Sequence, residues 1–205
     1  YKIDNLCLAG GVALNCVANG KILKSKIFKN VWIQPAAGDA GGSLGAALAY
    51  WHIQLNKNRD TGHKDVMSGS YLGPSYTDDQ IKQSLDKIGA KYKLLDEQSL
   101  IDKTADDLSK GHAIGWFQGR LEFGPRALGS RSIIGDPRSP DMQRNLNLKV
   151  KYRESFRPFA PSVLREDLKN WFELDNDSPY MLIVAEVKKE TVSYTHLRAH
   201  ETKSY

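Results

Sequence analysis

Arginine, glycine, serine and proline are concentrated in residues 119–132, whose sequence is GRLEFGPRALGSRS. Glycine permits backbone angles that other residues avoid, or a close approach to a ligand, and proline fixes the backbone. Arginine carries a planar fork of donors that matches a phosphate or a carboxylate. The order of these residues fits neither a helix face nor strand alternation. This arginine segment is therefore predicted to be an ordered loop that binds an anion, and a solvated basic loop is the alternative.

A second basic stretch lies in residues 147–161, where cations again alternate with aromatic residues and prolines. Its cations are Lys149, Lys151, Arg153 and Arg157. Residues 110–165 contain eleven Lys or Arg and four Asp or Glu, a local net charge of +7, whereas the whole chain carries +5. The positive charge is thus local, as expected of a site for a small polyanion or for nucleic acid.

The composition is that of an ordinary globular protein. The 205 residues allow one or two domains, and the hydrophobic content of 40% is typical of a soluble chain. No apolar run is long enough to span a bilayer. Cys7 and Cys16 are too few for a disulfide framework, so that reduced thiols and a cytoplasmic location are predicted. Residues 191–205 follow no helix or strand pattern and are predicted to be a non-native tail.

The first elements surround a glycine turn. An apolar run at residues 5–9 predicts a strand, Gly10 and Gly11 a turn, and residues 12–24 a helix. This order directs backbone N–H groups at a phosphate, although a tight packing turn would have the same sequence. Asn15 and Asn19 are four residues apart, and the pattern places them on one helix face, toward a ligand or toward solvent.

A second strand, at residues 31–33, and a helix from about residue 42 to 56 follow. Asp39 stands just before that helix. Its carboxylate suits either a helix cap or a divalent cation beside a nucleotide.

Residues 57–75 are polar and contain several glycines, which predicts an interdomain linker. Thr77 and Gln80 then have the spacing of a capping box. The pattern predicts further helices from Ser99 and from Ser139. Further strands are predicted at residues 92–95, 113–117, 159–164 and 181–187. The chain is therefore predicted to be mixed α/β.

Four motifs resemble, in order, those of the carbamoyltransferases of nodulation-factor and antibiotic biosynthesis. They are LAGGVALNC at residues 8–16, GDAGGSLGAA at 38–47, the arginine segment, and RESFRPFAP at 153–161. The resemblance implies that residues 1–56 are the end of an actin/Hsp70-like ATPase-fold domain. Residues 76–190 would then be an incomplete YrdC-like α/β domain.

The resemblance also implies an enzyme. Carbamoyl phosphate would be cleaved in the YrdC-like domain and carbamate joined to ATP as carbamoyl-adenylate. The carbamoyl group would then pass to a hydroxyl group of a sugar or another natural product in the ATPase-like domain. The expected partners are therefore carbamoyl phosphate and a hydroxylated small-molecule acceptor, without a membrane.

Site residues follow from the same resemblance. The ATP-contacting residues would be Gly10, Gly11, Asn15, Gly41 and Gly42. Asp39 would bind a divalent metal, Fe²⁺ or Mg²⁺. The cations expected to share one phosphate pocket of the YrdC-like domain are Arg126, Arg131, Lys149, Arg153 and Arg157. Glu122 and Glu154 are expected to orient arginines rather than to act as bases.

The chain also departs from the family. None of His52, His63 and His112 is in the family's metal-binding motif, so that the chain is expected to be a piece of an enzyme, inactive by itself. A nucleic-acid-binding module and a module related to tRNA threonylcarbamoylation are the alternatives. RNA binding favours exposed aromatic rings, whereas Phe156 and Phe159 stand beside prolines, which favours a compact pocket.

Overall fold

The computed structural model describes residues 3–62 and 65–191, so that His63 and nearly all of the predicted tail lie outside the described residues. The chain forms two compact units. Unit 1 comprises Tyr1–Ser75, Gln118–Ser130 and Ser178–Val184, and unit 2 comprises Tyr76–Phe117, Arg131–Asp177 and Ala185–Tyr205. Both combine helices with short strands, which confirms the mixed α/β class. The identification of an ATPase-like and a YrdC-like domain stays a prediction.

This division differs from the predicted domain boundaries. Residues 57–75, predicted as a linker, group with unit 1, and so do residues 118–130 and 178–184 from much later in the chain. Most of the arginine segment is therefore in the same unit as the glycine turn.

Unit 1 is built on a parallel strand pair. Its regular elements are β1 (Asn5–Leu8), α1 (Cys16–Ser25), β2 (Asn30–Ile33) and α2 (Asp39–Ala49), with 3₁₀ turns at Gly11–Leu14 and Ser68–Ser70. Leu6 lies opposite Val31 in the ladder. Parallel strands need a crossover connection, which α1 supplies. A π-helical turn, Tyr50–Gln54, extends α2 almost to the predicted end of that helix.

The two asparagines of the first motif have different roles. Asn15 is the N-cap of α1, and its side chain accepts a hydrogen bond from the Ala18 N–H at 3.1 Å. Asn19 is 2% exposed and donates to the carbonyl oxygens of Ala13 at 2.8 Å and Leu182 at 3.0 Å. The prediction that Asn19 faces a ligand or solvent is wrong, because its side chain is buried and joins α1 to residues 178–184.

Unit 2 contains an antiparallel strand pair and four α-helices among the described residues. Its elements are α3 (Asp78–Lys87), α4 (Glu97–Ser109), β3 (Ile114–Phe117), β4 (Arg131–Ile134), α5 (Met142–Asn145) and α6 (Leu168–Trp171). The capping box of α3 is confirmed, since Thr77 and Gln80 exchange hydrogen bonds of 2.9 and 3.3 Å. Helix α4 begins earlier than predicted, because Asp96 and not Ser99 is its cap.

Three predicted strands are wrong. Residues 92–95, 159–164 and 181–187 form no ladder with any described segment; only the isolated bridge between Phe172 and Val187 is present. Pro161 lacks the N–H that a ladder needs. Met181 has a φ of +54°, which interrupts an extended backbone.

The start of the second basic stretch also differs from its prediction. Helix α5 begins at Met142 rather than next to Ser139, and it continues as a π-helical turn, Leu146–Val150. Lys149 is in that turn. Lys149 and Lys151, two residues apart, would share one face only on an extended segment, and this turn shows that the backbone at Lys149 is not extended.

Helix α2 offers a matched pair of glycines for a test of unit 1. A Cβ at Gly41 would clash with the carbonyl oxygen of Ala36, whereas a Cβ at Gly45 would meet no atom within 4 Å. We expect Gly41→Ala to lower the free energy of unfolding by about 1–3 kcal/mol through overpacking. Gly45→Ala should raise it by up to about 1 kcal/mol, because alanine favours a helix. Urea unfolding of both variants measures the difference, and equal midpoints would contradict the close packing of Gly41.

Candidate functional site

The glycine turn after β1 leaves its backbone accessible. Gly10 has φ +94°, an angle that favours glycine. A Cβ added to Gly10 or to Gly11 would meet no atom within 4 Å. The turn then continues into the 3₁₀ turn Gly11–Leu14, and Asn15 caps α1. Of the three predicted ATP-contacting residues of this motif, Gly10 and Gly11 thus have open space beside them, and Asn15 caps α1.

Asp39 is the first residue of α2, and Gly38 occupies the N-cap position without a side-chain cap. The interpretation of Asp39 as the helix cap is therefore wrong. Its side chain is exposed and makes no hydrogen bond with any described residue. A carboxylate in the first turn is favoured by the helix dipole. In the same turn, Gly41 packs on residue 36 and Gly42 has open space beside it.

Arg126 joins the arginine segment to the first motif. Its Nη2 donates to the carbonyl oxygen of Leu14 at 3.0 Å. Its Nε is buried and has no hydrogen-bond partner among the described residues. Gly124, at φ +118°, lies against Ala36, because a Cβ there would be 3.0 Å from the Ala36 Cβ. The arginine segment thus contacts the first motif, and also Ala36 just before the second motif, within unit 1.

Glu122 organises the backbone of the arginine segment. It is 4% exposed, and its Oε1 accepts hydrogen bonds from the N–H groups of Leu128 at 2.7 Å and Ser130 at 2.8 Å. Gly129, between these two residues, has φ +114°. The sequence suggested that Glu122 orients arginine side chains, whereas these contacts are with the main chain. Sequence spacing gave no signal of this role.

Residues 70–74, within the predicted linker, bind the arginine segment. The Phe123 N–H donates to the Ser70 carbonyl at 2.6 Å, and Tyr71 Oη donates to the Leu128 carbonyl at 2.8 Å. Gly73 N–H also donates to the Leu121 carbonyl at 2.9 Å. Residues 70–74 of the predicted linker are therefore hydrogen-bonded to the arginine segment.

The other predicted cations, Arg131, Lys149, Arg153 and Arg157, are in unit 2. Arg131 and Lys149 are exposed. Arg153 donates from Nε to Asn147 Oδ1 at 2.6 Å, and its guanidinium lies 4.9 Å from the ring centre of Phe159. Because Arg126 is in unit 1, the single phosphate pocket for all five cations stays a prediction.

Arg157 has a carboxylate partner. Its Nε lies 2.8 Å from Glu154 Oε2, and both side chains are about half exposed. The pKa of Glu154 is lowered by a hydrogen bond from its own backbone N–H and then by Arg157. Glu154 therefore does orient an arginine, as the sequence suggested.

The described residues do not form a metal centre. They contain no group of three or more His, Cys, Asp or Glu side chains that could hold a metal ion. His52 Nδ1 lies 2.9 Å from the Lys57 carbonyl, and His112 Nδ1 lies 3.7 Å from Asp107 Oδ1. Asp39 could thus provide only one ligand of such a site.

None of the described helices combines the length and the apolar character that crossing a membrane would need.

Glu122 permits a direct test of the arginine segment. Glu122→Gln removes the charge that strengthens two buried hydrogen bonds and introduces amide donors there. We expect a loss of about 1–3 kcal/mol in the free energy of unfolding. The control, Glu154→Gln, alters only a half-exposed ion pair and should change stability little. Chemical denaturation measures both, and an unchanged stability of Glu122→Gln would contradict the organising role.

Family models match both parts of the chain. Residues 1–48 match the carbamoyltransferase N-terminus, and residues 105–204 match the carbamoyltransferase C-terminus. The second match includes most of the segment that the sequence suggested to be a non-native tail.

Individual relatives agree with these matches. An uncharacterized protein of Synechocystis sp., sll1178, is 60% identical over 190 residues, which cover 92% of this chain and 31% of the relative. The nodulation protein NolNO of Sinorhizobium fredii is 42% identical over 91% of this chain and 28% of its own length. The nodulation protein NolO of Bradyrhizobium diazoefficiens is also 42% identical, over 91% of this chain and 34% of its own length. The chain thus spans about a third of these curated relatives, and it belongs to the carbamoyltransferase family.

Proposed function

We propose that the chain is part of an ATP-dependent O-carbamoyltransferase. It would transfer a carbamoyl group from carbamoyl phosphate, by way of carbamoyl-adenylate, to a hydroxyl group of a sugar or another natural product. Family membership supports carbamoyl transfer. The observation that carries the finer proposal is the contact of Arg126 with the glycine-turn motif in unit 1.

The residues of unit 1 fit a nucleotide phosphate in two respects. The Nε of Arg126 is a buried donor without an acceptor among the described residues. Gly10, Gly11 and Gly42 leave open space where other residues would place a side chain. Preorganised donors of this kind stabilise negative charge that develops on a leaving phosphate. Asn15 would act indirectly, by capping the helix that follows the turn.

This assignment moves Arg126 from the carbamoyl phosphate site, where sequence reasoning placed it, to the ATP site. The proposed carbamoyl phosphate site keeps the cations of unit 2, which are Arg131, Lys149, Arg153 and Arg157. A hydrogen bond to a charged group contributes about 1.5–3 kcal/mol, so that a few such contacts suffice for a small phosphate ligand.

Asp39 is proposed as one ligand of a divalent metal, Fe²⁺ or Mg²⁺. The described residues form no group of three or more His, Cys, Asp or Glu side chains around it.

One observation favours the second candidate, nucleic-acid binding. Tyr152 is 86% exposed and Phe156 is 67% exposed, among the cations of unit 2. The argument that Phe156 lines a compact pocket is therefore wrong. Exposed rings between cations can stack on bases. Binding of single-stranded RNA with a steep salt dependence would support this candidate. If the protein does not bind RNA in this way, carbamoyl transfer remains the proposed function.

Arg126→Lys in the full-length enzyme tests the ATP assignment. Lysine keeps the charge but cannot contact Leu14 and a phosphate through one planar fork. We expect the KM for ATP to rise about tenfold, the equivalent of one charged hydrogen bond, and the KM for carbamoyl phosphate to stay unchanged.

Arg120→Lys is the matched control, because Arg120 is exposed and makes only a 3.4 Å hydrogen bond to the Leu72 carbonyl. A rise in the KM for carbamoyl phosphate alone would return Arg126 to the site first predicted.

Asp39→Ala tests the division of labour. In the full-length enzyme we expect loss of carbamoyl transfer with cleavage of carbamoyl phosphate retained, because Asp39 is in unit 1 and the phosphate-binding cations are proposed for unit 2. Separate assays of phosphate release and of carbamoylated product measure the two steps. Asp4→Ala, at another exposed carboxylate of unit 1, is the control. Equal loss of both activities in a folded Asp39 variant would refute this division.

A further inference from the structure

Asn147 is fully buried in unit 2, with an exposed fraction of 0%. It lies in the π-helical turn that follows α5. Its Nδ2 donates to the carbonyl oxygens of Ser155 at 3.1 Å and Arg157 at 2.8 Å, and its Oδ1 accepts from Arg153 Nε at 2.6 Å. All the strong hydrogen-bonding groups of the side-chain amide therefore face one loop, residues 151–157.

The main chain reinforces this arrangement. The Arg153 N–H donates to the Asn147 carbonyl at 3.0 Å. The Gln143 side chain donates to the carbonyl oxygens of Phe156 at 3.2 Å and Arg157 at 3.1 Å. Asn147 thus binds the loop at residues 153, 155 and 157, and it also binds the side chain of Arg153.

The contacts of Arg153 fix its guanidinium at two places. Asn147 binds Nε, and the ring of Phe159 lies against the group. Neither terminal nitrogen of Arg153 donates a hydrogen bond to any described residue. These two nitrogens are the ones that an arginine offers to a phosphate as a pair.

The side-chain amide of Asn147 is chemically suited to bind Arg153 and the loop together. An amide is the side chain that can donate twice to carbonyl groups and accept once from an arginine. Because the amide is neutral, it adds no negative charge beside Arg153; the Glu154 carboxylate acts on Arg153 only through its electrostatic field and has its ion pair with Arg157. Arg157 differs, since Glu154 is its partner.

We propose that Asn147 is a positioning residue of the carbamoyl phosphate site, which holds Arg153 ready for the phosphate; this inference rests on the proposed function. Asn147 does not contact the ligand, and it acts by fixing Nε and the loop while it leaves the charge of Arg153 to the substrate.

A double-mutant cycle in the full-length protein tests this role. Binding of carbamoyl phosphate is measured by calorimetry at fixed ionic strength for the wild type, Asn147→Leu, Arg153→Gln and the double variant. We expect each single change to weaken binding about tenfold. The double variant should bind no more weakly than Arg153→Gln, because Asn147 acts through Arg153. Lys151→Gln, which removes a neighbouring exposed charge, is the control for net charge.

A second readout separates positioning from folding. The NMR signal of the Arg153 Nε–H should lose its hydrogen-bonded shift in Asn147→Leu and keep it in Asn147→Asp, which retains the acceptor. Asn147→Asp should still bind carbamoyl phosphate more weakly than the wild type, because its carboxylate neutralises Arg153 and cannot donate to the carbonyl oxygens of Ser155 and Arg157. If Asn147→Leu does not fold, Asn147→Asp still tests the positioning role.

The outcomes distinguish the two proposals. If the wild type does not bind carbamoyl phosphate, the proposed function fails and this inference fails with it. If the wild type binds but the effects of Asn147→Leu and Arg153→Gln add, or Asn147→Asp binds as tightly as the wild type, the positioning role is overturned while the proposed function stands.

Discussion

The hydrogen bond from Arg126 to the carbonyl oxygen of Leu14 joins residues 112 positions apart in the sequence. The candidate site of unit 1 depends on it, because it brings the arginine segment to the glycine turn. Glu122 makes the contact possible by ordering the backbone around Gly129, and the approach of Gly124 to Ala36 lets the segment lie close to the start of α2. A buried polar side chain is costly unless its hydrogen bonds are made. The segment is therefore held in one conformation rather than left as a solvated basic loop.

The same principle operates in unit 2. There, a buried asparagine rather than a glutamate organises the loop that carries Arg153. In both units a cation is presented by a loop whose carbonyl or N–H groups are bound by one buried polar side chain. In unit 2 both donors and the acceptor of the Asn147 amide are bonded, and a satisfied network specifies a single geometry. In unit 1 the Nε of Arg126 has no partner among the described residues. A preorganised cation loses little freedom on binding, which is what recognition of a small phosphate requires.

Local signals predicted much of the fold. Thr77 and Gln80 predicted the start of α3, and the apolar runs predicted β1 to β3. The unusual backbone angles that glycine permits in the arginine segment are present at positions 124 and 129, which have positive φ. Contacts between residues far apart in the sequence could not be predicted. Nothing near Asn147 or Glu122 in the sequence shows that main-chain atoms are among their partners. The segment with Pro161 has the apolar pattern of a strand but no ladder, and the polar residues 70–74 form hydrogen bonds with a segment nearly fifty positions away. The family resemblance predicted carbamoyl transfer, but it did not predict that Arg126 belongs to unit 1.

The most direct test is a crystal structure of the full-length protein with a non-hydrolysable ATP analogue. We predict that a phosphate oxygen accepts a hydrogen bond from Arg126 Nε, at about 2.7–2.9 Å, while Nη2 keeps its contact with the Leu14 carbonyl. The same phosphate should lie beside the Gly10–Gly11 turn. An analogue whose phosphates are bound only by the cations of unit 2, with no contact to Arg126 or to the glycine turn, would contradict the account.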